Sequence, residues 1–238
     1  MTTQKPLLLI TRPLDAGQRF VRSLPEEITQ ATLVVCAPLI EIKSGEKDVD
    51  TAGYRAVIFS SRNGVRHSRV PKDQPPIKAY CVGQATTEFA RKTGWKAIYA
   101  GASASELVAR LCQCKPSGPL LHLRGKLTVG NIASSLTRAG VTTTELVVYD
   151  QLPVSFSDEA RQTIELAKHV IAPLFSRRTA ELLAAENLAS RMYVVALSPA
   201  VSQPCFSMNC QQITVAKQPT RDAVIEVLLD FFRSLPSG

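Results

Sequence analysis

Short apolar runs alternate along the chain with stretches in which apolar residues recur every three to four positions. The runs are Leu7–Ile10, Thr32–Cys36, Ala56–Ser60, Ala79–Val82, Lys96–Tyr99, Leu120–Leu123, Glu145–Tyr149, Val170–Phe175, Tyr193–Leu197 and Ile213–Ala216. Most are continuous, the pattern of parallel strands covered on both faces. Between them, Ala104–Cys114 puts Leu107, Val108, Leu111 and Cys112 on one helical face. Thr220–Ser234 does the same with Ala223, Val224, Val227, Leu228 and Phe231. Pro219 precedes that helix and Asp222 lies in its first turn, where an acid suits the dipole. Ten strands with interleaved helices predict an α/β fold.

The pattern repeats. LLLITRPLDAGQRFVRSL from Leu7 and LLHLRGKLTVGNIASSL from Leu120 both run strand, Arg-containing turn, helix. Ile58-Phe59-Ser60-Ser61-Arg62 returns as Leu174-Phe175-Ser176-Arg177-Arg178, 116 residues on. Val82-Gly83 returns as Leu197-Ser198, and SASELVARL from Ser103 as TRDAVIEVL from Thr220. Offsets of 112 to 117 recur in one order, which predicts two similar α/β domains of about five strands each. Ala37–Lys43 and Glu145–Pro153 are both extended and follow corresponding elements, so they read as a pair of strands crossing between domains. The expected domains are residues 1–37 plus 152–238, and residues 40–147, joined by linker strands 37–43 and 145–153.

Charge follows this division. The 238 residues carry 28 Lys and Arg against 20 Asp and Glu, a net charge of +8. Residues 40–147 hold 16 basic and 8 acidic residues, so 16 − 8 = +8 and the remainder is neutral. The longest apolar stretches fall far below the ~18 residues of a membrane span. The N-terminus has only four consecutive apolar residues, short of a signal-peptide core of ~7–15, so a cytoplasmic protein is expected. The six cysteines form no C-x-x-C and none lies at ligand spacing from His67, His122 or His169. They read as small buried hydrophobes plus one exposed pair, and no metal site is expected.

Candidate chemistry lies in the turns after the strands, where doubly wound sheets bind ligands. They read Thr11-Arg12-Pro13, Ser60-Ser61-Arg62-Asn63-Gly64, Gly83-Gln84-Ala85-Thr86-Thr87, Arg124-Gly125-Lys126, Ser176-Arg177-Arg178-Thr179 and Ser198-Pro199-Ala200. Thr220 opens the last helical pattern. Hydroxyl residues are ordinary helix caps, but cations beside them oppose the positive end of the dipole and capping does not explain them. Facing turns on two domains would form a cleft suited to a polyanion. No phosphate-binding P-loop, G-x-G-x-x-G, H-E-x-x-H or G-x-S-x-G is present, which removes the usual nucleotide, dinucleotide, zinc-protease and hydrolase readings. His122 sits in a strand-like run and His67 in a basic helical stretch, and each reads as structural or solvated. Paired carboxylates are absent from the turns. A nucleic-acid partner fits the charge, yet aromatics are 6% of residues and no basic patch is interleaved with them.

With the turns laid out, the chain resembles the uroporphyrinogen-III synthase family. The resemblance rests on ITRP (Ile10–Pro13), PLIEI (Pro38–Ile42), AVIFSSRNGV (Ala56–Val65), CVGQATTEFARKTGW (Cys81–Trp95), LRGKL (Leu123–Leu127), LTRAGV (Leu136–Val141), VVYD (Val147–Asp150), FSRRTAELL (Phe175–Leu183), VVALSPAVSQ (Val194–Gln203) and AKQPTRDAVIEVL (Ala216–Leu228). It implies two flavodoxin-like parallel-sheet domains joined by a two-stranded linker, with the active site in the cleft. It also implies the reaction: hydroxymethylbilane, a linear tetrapyrrole with four acetates and four propionates, closes with inversion of its last ring and loss of water. No cofactor or metal is used, and a monomer without nucleic-acid or membrane partners is expected.

The resemblance makes Tyr149 of V-V-Y-D the cleft tyrosine that protonates the leaving hydroxyl; the competing reading is a packed linker tyrosine. It makes Ser60, Ser61, Arg62, Asn63 and Thr86 carboxylate contacts, and Arg12, Arg124, Lys126, Ser176, Ser198 and Thr220 are added from the turns. Two turns depart from the family. Ser198-Pro199-Ala200-Val201 stands where relatives have G-x-T-T, and Thr128-Val129-Gly130 where many have an Arg, with Lys126 as substitute. A non-catalytic ligand-binding module of the same fold is the alternative, motivated by the lack of a strong acid or base.

Overall fold

The structure, a computed structural model, describes residues 5–45, 49–69, 77–127 and 130–234. Its elements in chain order are β1 (Leu7–Ile10), α1 (Leu14–Arg22), α2 (Glu26–Ala31), β2 (Leu33–Cys36), β3 (Ile40–Ser44), β4 (Ala56–Phe59), α3 (Arg62–Arg66), β5 (Lys78–Val82), α4 (Gln84–Lys92), β6 (Lys96–Gly101) and α5 (Ala104–Cys114). There follow β7 (Leu120–Gly125), α6 (Ile132–Arg138), β8 (Thr143–Pro153), α7 (Asp158–Leu166), β9 (Val170–Leu174), α8 (Arg177–Ala185), β10 (Met192–Ala196), α9 (Pro199–Ser202), a 3₁₀ turn at Gln203–Ser207, β11 (Cys210–Val215) and α10 (Arg221–Ser234).

The chain divides into two compact units, Met1–Glu41 with Leu152–Gly238, and Ile42–Gln151. The first holds a five-stranded sheet in the order β11-β10-β9-β1-β2, parallel throughout. Counted within the unit this is the flavodoxin order 2-1-3-4-5. Successive strand residues point to opposite faces. Leu7 and Leu9 therefore join one buried cluster, with Ile164, Leu183 and Val194, while Leu8 and Ile10 join another, with Phe20, Ile28 and Leu228. Burial of both faces explains the unbroken apolar runs of β1 and β9. The edge strands β2 and β11 are only partly covered, so Cys36 is exposed, against the expectation of a buried thiol.

The second unit holds a six-stranded sheet, β3-β8-β7-β4-β5-β6. Its strands β8 to β6 are parallel. Strand β3 runs antiparallel to β8, bonded at its ends by Gly45 N–H to Val148 O (2.8 Å) and Val154 N–H to Leu39 O (3.1 Å). Val57 and Phe59 pack on one face with Trp95, and Ile58 on the other with Leu107, Leu111 and Leu136. Helix α5 has the predicted limits, and the Ser103 hydroxyl caps it, accepting from Glu106 N–H at 3.2 Å. This unit carries 16 basic and 8 acidic residues, so it holds the whole excess of the chain.

The repeat explains the discontinuity. The order β2-β1-β9-β10-β11 in one sheet matches β8-β7-β4-β5-β6 in the other. Leu7 and Leu120 open equivalent strands (120 − 7 = 113), and Ala56 with Val170, Lys78 with Met192 and Lys96 with Cys210 do so at 114. Leaving β3 aside, each half of the chain gives two strands to one sheet and three to the other.

Candidate active site

In a parallel sheet the carboxyl ends of the strands share one edge, and the crevice opens where the strand order reverses. In the second unit that point lies between β4 and β7, which pair with Ile58 opposite His122 and Phe59 opposite Leu123. The turn after β4 carries Ser60 and Ser61. Strand β7 carries His122 and Arg124, and β8 carries Tyr149 opposite Gly125.

Tyr149 is buried, 4% exposed, and its hydroxyl lies 3.0 Å from Ser61 Oγ, with either group able to donate. Ser61 also caps α3, accepting from Gly64 N–H at 3.1 Å. The phenol ring rests against the β7 backbone because residue 125 is glycine: a Cβ there would stand 2.6 Å from Tyr149 Cζ. His67 stacks on the ring with centroids 5.7 Å apart, and its Nδ1 is 3.2 Å from Ser44 Oγ. Burial, then the charge of Arg66, holds the His67 imidazole below its ordinary pKa.

Ser60 Oγ lies 3.0 Å from Nε2 of buried His122. The other ring nitrogen, Nδ1, is 3.4 Å from Glu145 Oε1, and Arg124 Nε donates to Glu145 Oε2 at 2.8 Å. Burial is the largest influence on His122 and pushes its pKa down; the hydrogen bond and charge of Glu145 push up, and Arg124 pushes down.

Arg62 lays its guanidinium over the Phe89 ring, 4.7 Å from the centroid, and its buried Nε has no hydrogen-bond partner among the described residues. Asn63 is half-buried in α3, and its carbonyl accepts from His67 N–H at 3.0 Å. Thr86 is buried in the first turn of α4, after β5. Lys126 is exposed, 3.3 Å from Asp150 Oδ2. Thr128 and Val129 lie outside the described residues.

The other predicted residues occupy the carboxyl edge of the first unit, after β1, β9, β10 and β11. Arg12 stacks on Phe175 at 4.1 Å, at the point where this sheet reverses. Burial, with a smaller push from Arg19, lowers its pKa to about 10. Ser176 caps α8, accepting from Thr179 N–H at 3.1 Å, and Thr220 accepts from Ala223 N–H at 3.2 Å. Ser198 makes no side-chain cap; its carbonyl accepts from Val201 N–H at 3.0 Å. The caps Ser61 and Ser176 are 115 apart (176 − 61 = 115), so Ser176 corresponds to Ser61, one residue off the sequence alignment that paired it with Ser60.

Sequence reasoning gave no role to Gly125, His67, His122 or Glu145. The single usable signal was the glycine in R-G-K; the others meet only through strand register, which the sequence does not display. Among the described residues no group of three or more His, Cys, Asp or Glu is arranged to hold a metal ion, and no helix is long and apolar enough to cross a membrane. A cavity of about 480 Å³ between β10, β11 and α10 contains none of the predicted residues.

Residues 29–226 match the family model described as uroporphyrinogen-III synthase HemD. A uroporphyrinogen-III synthase of Chlorobaculum parvum is 26% identical over 215 residues, covering 82% of this chain and 86% of that protein. The crystal structure of uroporphyrinogen-III synthetase from Helicobacter pylori 26695 has a similar fold, with a TM-score of 0.69 at 15% identity, over 96% of this chain and 100% of that one.

Proposed function

The chain belongs to the uroporphyrinogen-III synthase family, and from that premise we propose that it converts hydroxymethylbilane to uroporphyrinogen III, closing the macrocycle with inversion of ring D and release of water. The match of the family model through residues 29–226 carries this reading.

The chemistry asks little of the protein in acid strength. Once the terminal hydroxyl is protonated it leaves as water, and the pyrrole nitrogen supplies the electrons for an azafulvene cation. The substituted carbon of ring D attacks that cation to give a spiro intermediate, which fragments and recloses at the free carbon, losing a proton. Holding the ends in reacting geometry is the larger task. Tyr149 is our candidate proton donor. A serine hydroxyl has one hydrogen and two lone pairs. Ser61 can therefore donate to the phenolate oxygen that remains while still accepting from Gly64 N–H. That support is preorganised, because the cap sets the serine before any ligand arrives.

For the carboxylates we propose Ser61, Arg62, Asn63, Thr86, Arg124 and Lys126 in the second unit and Arg12, Ser176, Ser198 and Thr220 in the first as the binding set, with Ser60 beside them as a further ligand contact. The orphaned Nε of Arg62 and the buried, strongly desolvated charge of Arg12 favour an anionic ligand. Supplying hydroxymethylbilane and resolving the type I from the type III isomer tests the reading. Type III product above the spontaneous background is expected; type I product alone, at the spontaneous rate, would leave a binding module of the same fold.

A further inference from the structure

The two serines after β4 engage different titratable side chains, and the contact of Ser60 has a defined polarity. A carboxylate oxygen has only lone pairs to offer, so the His122 nitrogen facing Glu145, Nδ1, carries a hydrogen. In the neutral ring the other nitrogen is then a bare acceptor. The 3.0 Å contact between His122 Nε2 and Ser60 Oγ therefore uses the only hydrogen of the serine. Arg124 holds this arrangement in place: Nε grips the second Glu145 oxygen, and NH1 donates to the carbonyls of Gly125 and Lys126. Glu145 and Arg124 are the charged groups acting on His122; burial, helped by Arg124, outweighs Glu145 and keeps the ring neutral around neutral pH. What Ser60 has left for a ligand is lone pairs.

We propose that Ser60, His122 and Glu145 form a proton relay, so that Ser60 Oγ receives an N–H or O–H donor of the ligand, such as a pyrrole N–H, and not one of its carboxylates. The pyrrole follows from the tetrapyrrole reading above, on which this part rests. His122 and Glu145 are positioning residues. When the bound donor gives up its proton, the proton goes to Ser60 Oγ, the serine's own proton passes to His122 Nε2, and the imidazolium is held against the Glu145 carboxylate. No other bond changes, and the reverse transfer restores the site. This replaces a carboxylate contact for Ser60 with a donor contact.

The imidazole nitrogens of the full chain, ¹⁵N-labelled and assigned with single His→Gln variants, report the tautomer directly. A His122 Nδ1–H tautomer at neutral pH is expected; an Nε2–H tautomer would free the Ser60 hydrogen and overturn the relay. With hydroxymethylbilane as the probe, Ser60→Ala and Glu145→Ala, the latter at an exposed position, should each lower kcat/KM at least about tenfold. Because they act through one relay, the double variant should lose no more than the worse single. Multiplicative losses, or full activity in both, overturn it. A wild-type chain with the Nδ1–H tautomer but no type III product would sustain the relay and remove the ring-closure reading.

Discussion

The Tyr149 hydroxyl sits 3.0 Å from Ser61 Oγ, which ties the last parallel strand of the second unit to the turn after its first. The two residues are 88 positions apart in the chain. Removing either oxygen breaks the pair, but with different side effects.

Tyr149→Phe keeps the ring against Gly125 and the stack on His67. We expect folding stability to change little and the rate of type III product formation to fall roughly 100-fold, the scale of one lost general acid. Single-turnover kinetics alongside thermal unfolding checks this. Undiminished turnover would leave Tyr149 as a packing residue.

Gly125→Ala inserts a methyl group where Cζ, Cε2 and the hydroxyl of Tyr149 lie 2.6 to 2.8 Å from the new carbon. The ring must move, with an expected destabilisation of about 1–3 kcal/mol. Turnover should fall with it, because the phenol leaves Ser61. Urea unfolding and product analysis of the same variant read both effects.

Ser61→Ala and Ser157→Ala each remove a helix cap, Ser157 accepting from Ala160 N–H at 3.2 Å. Each should cost about 1 kcal/mol of stability. Only Ser61→Ala should also slow turnover. Equal activity in the two variants would separate Ser61 from the chemistry.

Arg12 is a cation kept charged in a desolvated position, its pKa lowered to about 10. The unfolded chain holds that proton more tightly, so its contribution to stability rises as pH climbs through about 10. Replacing it with Met should stabilise the ligand-free chain by on the order of 1 kcal/mol. The same change should remove part of the thermal shift produced by uroporphyrinogen III. A variant less stable than the parent and equally shifted by ligand contradicts both expectations.

Burial lowers the His122 pKa below its ordinary 6.5. As pH falls through about 6.5 the unfolded chain takes up a proton that the folded chain refuses. The stabilisation is thus complete above that pH and declines below it. Urea midpoints measured from about pH 8 down to about pH 5 should fall on the acid side, less steeply in His122→Gln. A midpoint that holds level would mean the folded imidazole protonates normally.

Much was legible in the sequence because it is local or periodic. The apolar runs of β1, β4 and β9 are continuous since both faces of each strand are buried, and that requirement is written residue by residue. Helix α5 is marked out by the spacing of Leu107, Val108, Leu111 and Cys112 on one face, a periodic signal that gives its limits, Ala104 and Cys114. The repeat, with offsets near 114, was visible because equivalent strands carry similar burial demands. Cys36 failed this logic: its strand looks like the others, but an edge position leaves it exposed.

By itself the sequence determined the α/β alternation, the two-fold repeat, the basic character of the middle of the chain and the hydroxyl and arginine turns that end the strands. Strand order and register decided the rest. Only when β7 lies between β4 and β8 does His122 come to stand between Ser60 and Glu145, and Tyr149 opposite a glycine small enough to admit its ring. The physical reason is that a strand's own pattern states which faces are buried, whereas its neighbours are chosen by packing between distant segments. A polar contact across those neighbours has no periodicity to betray it.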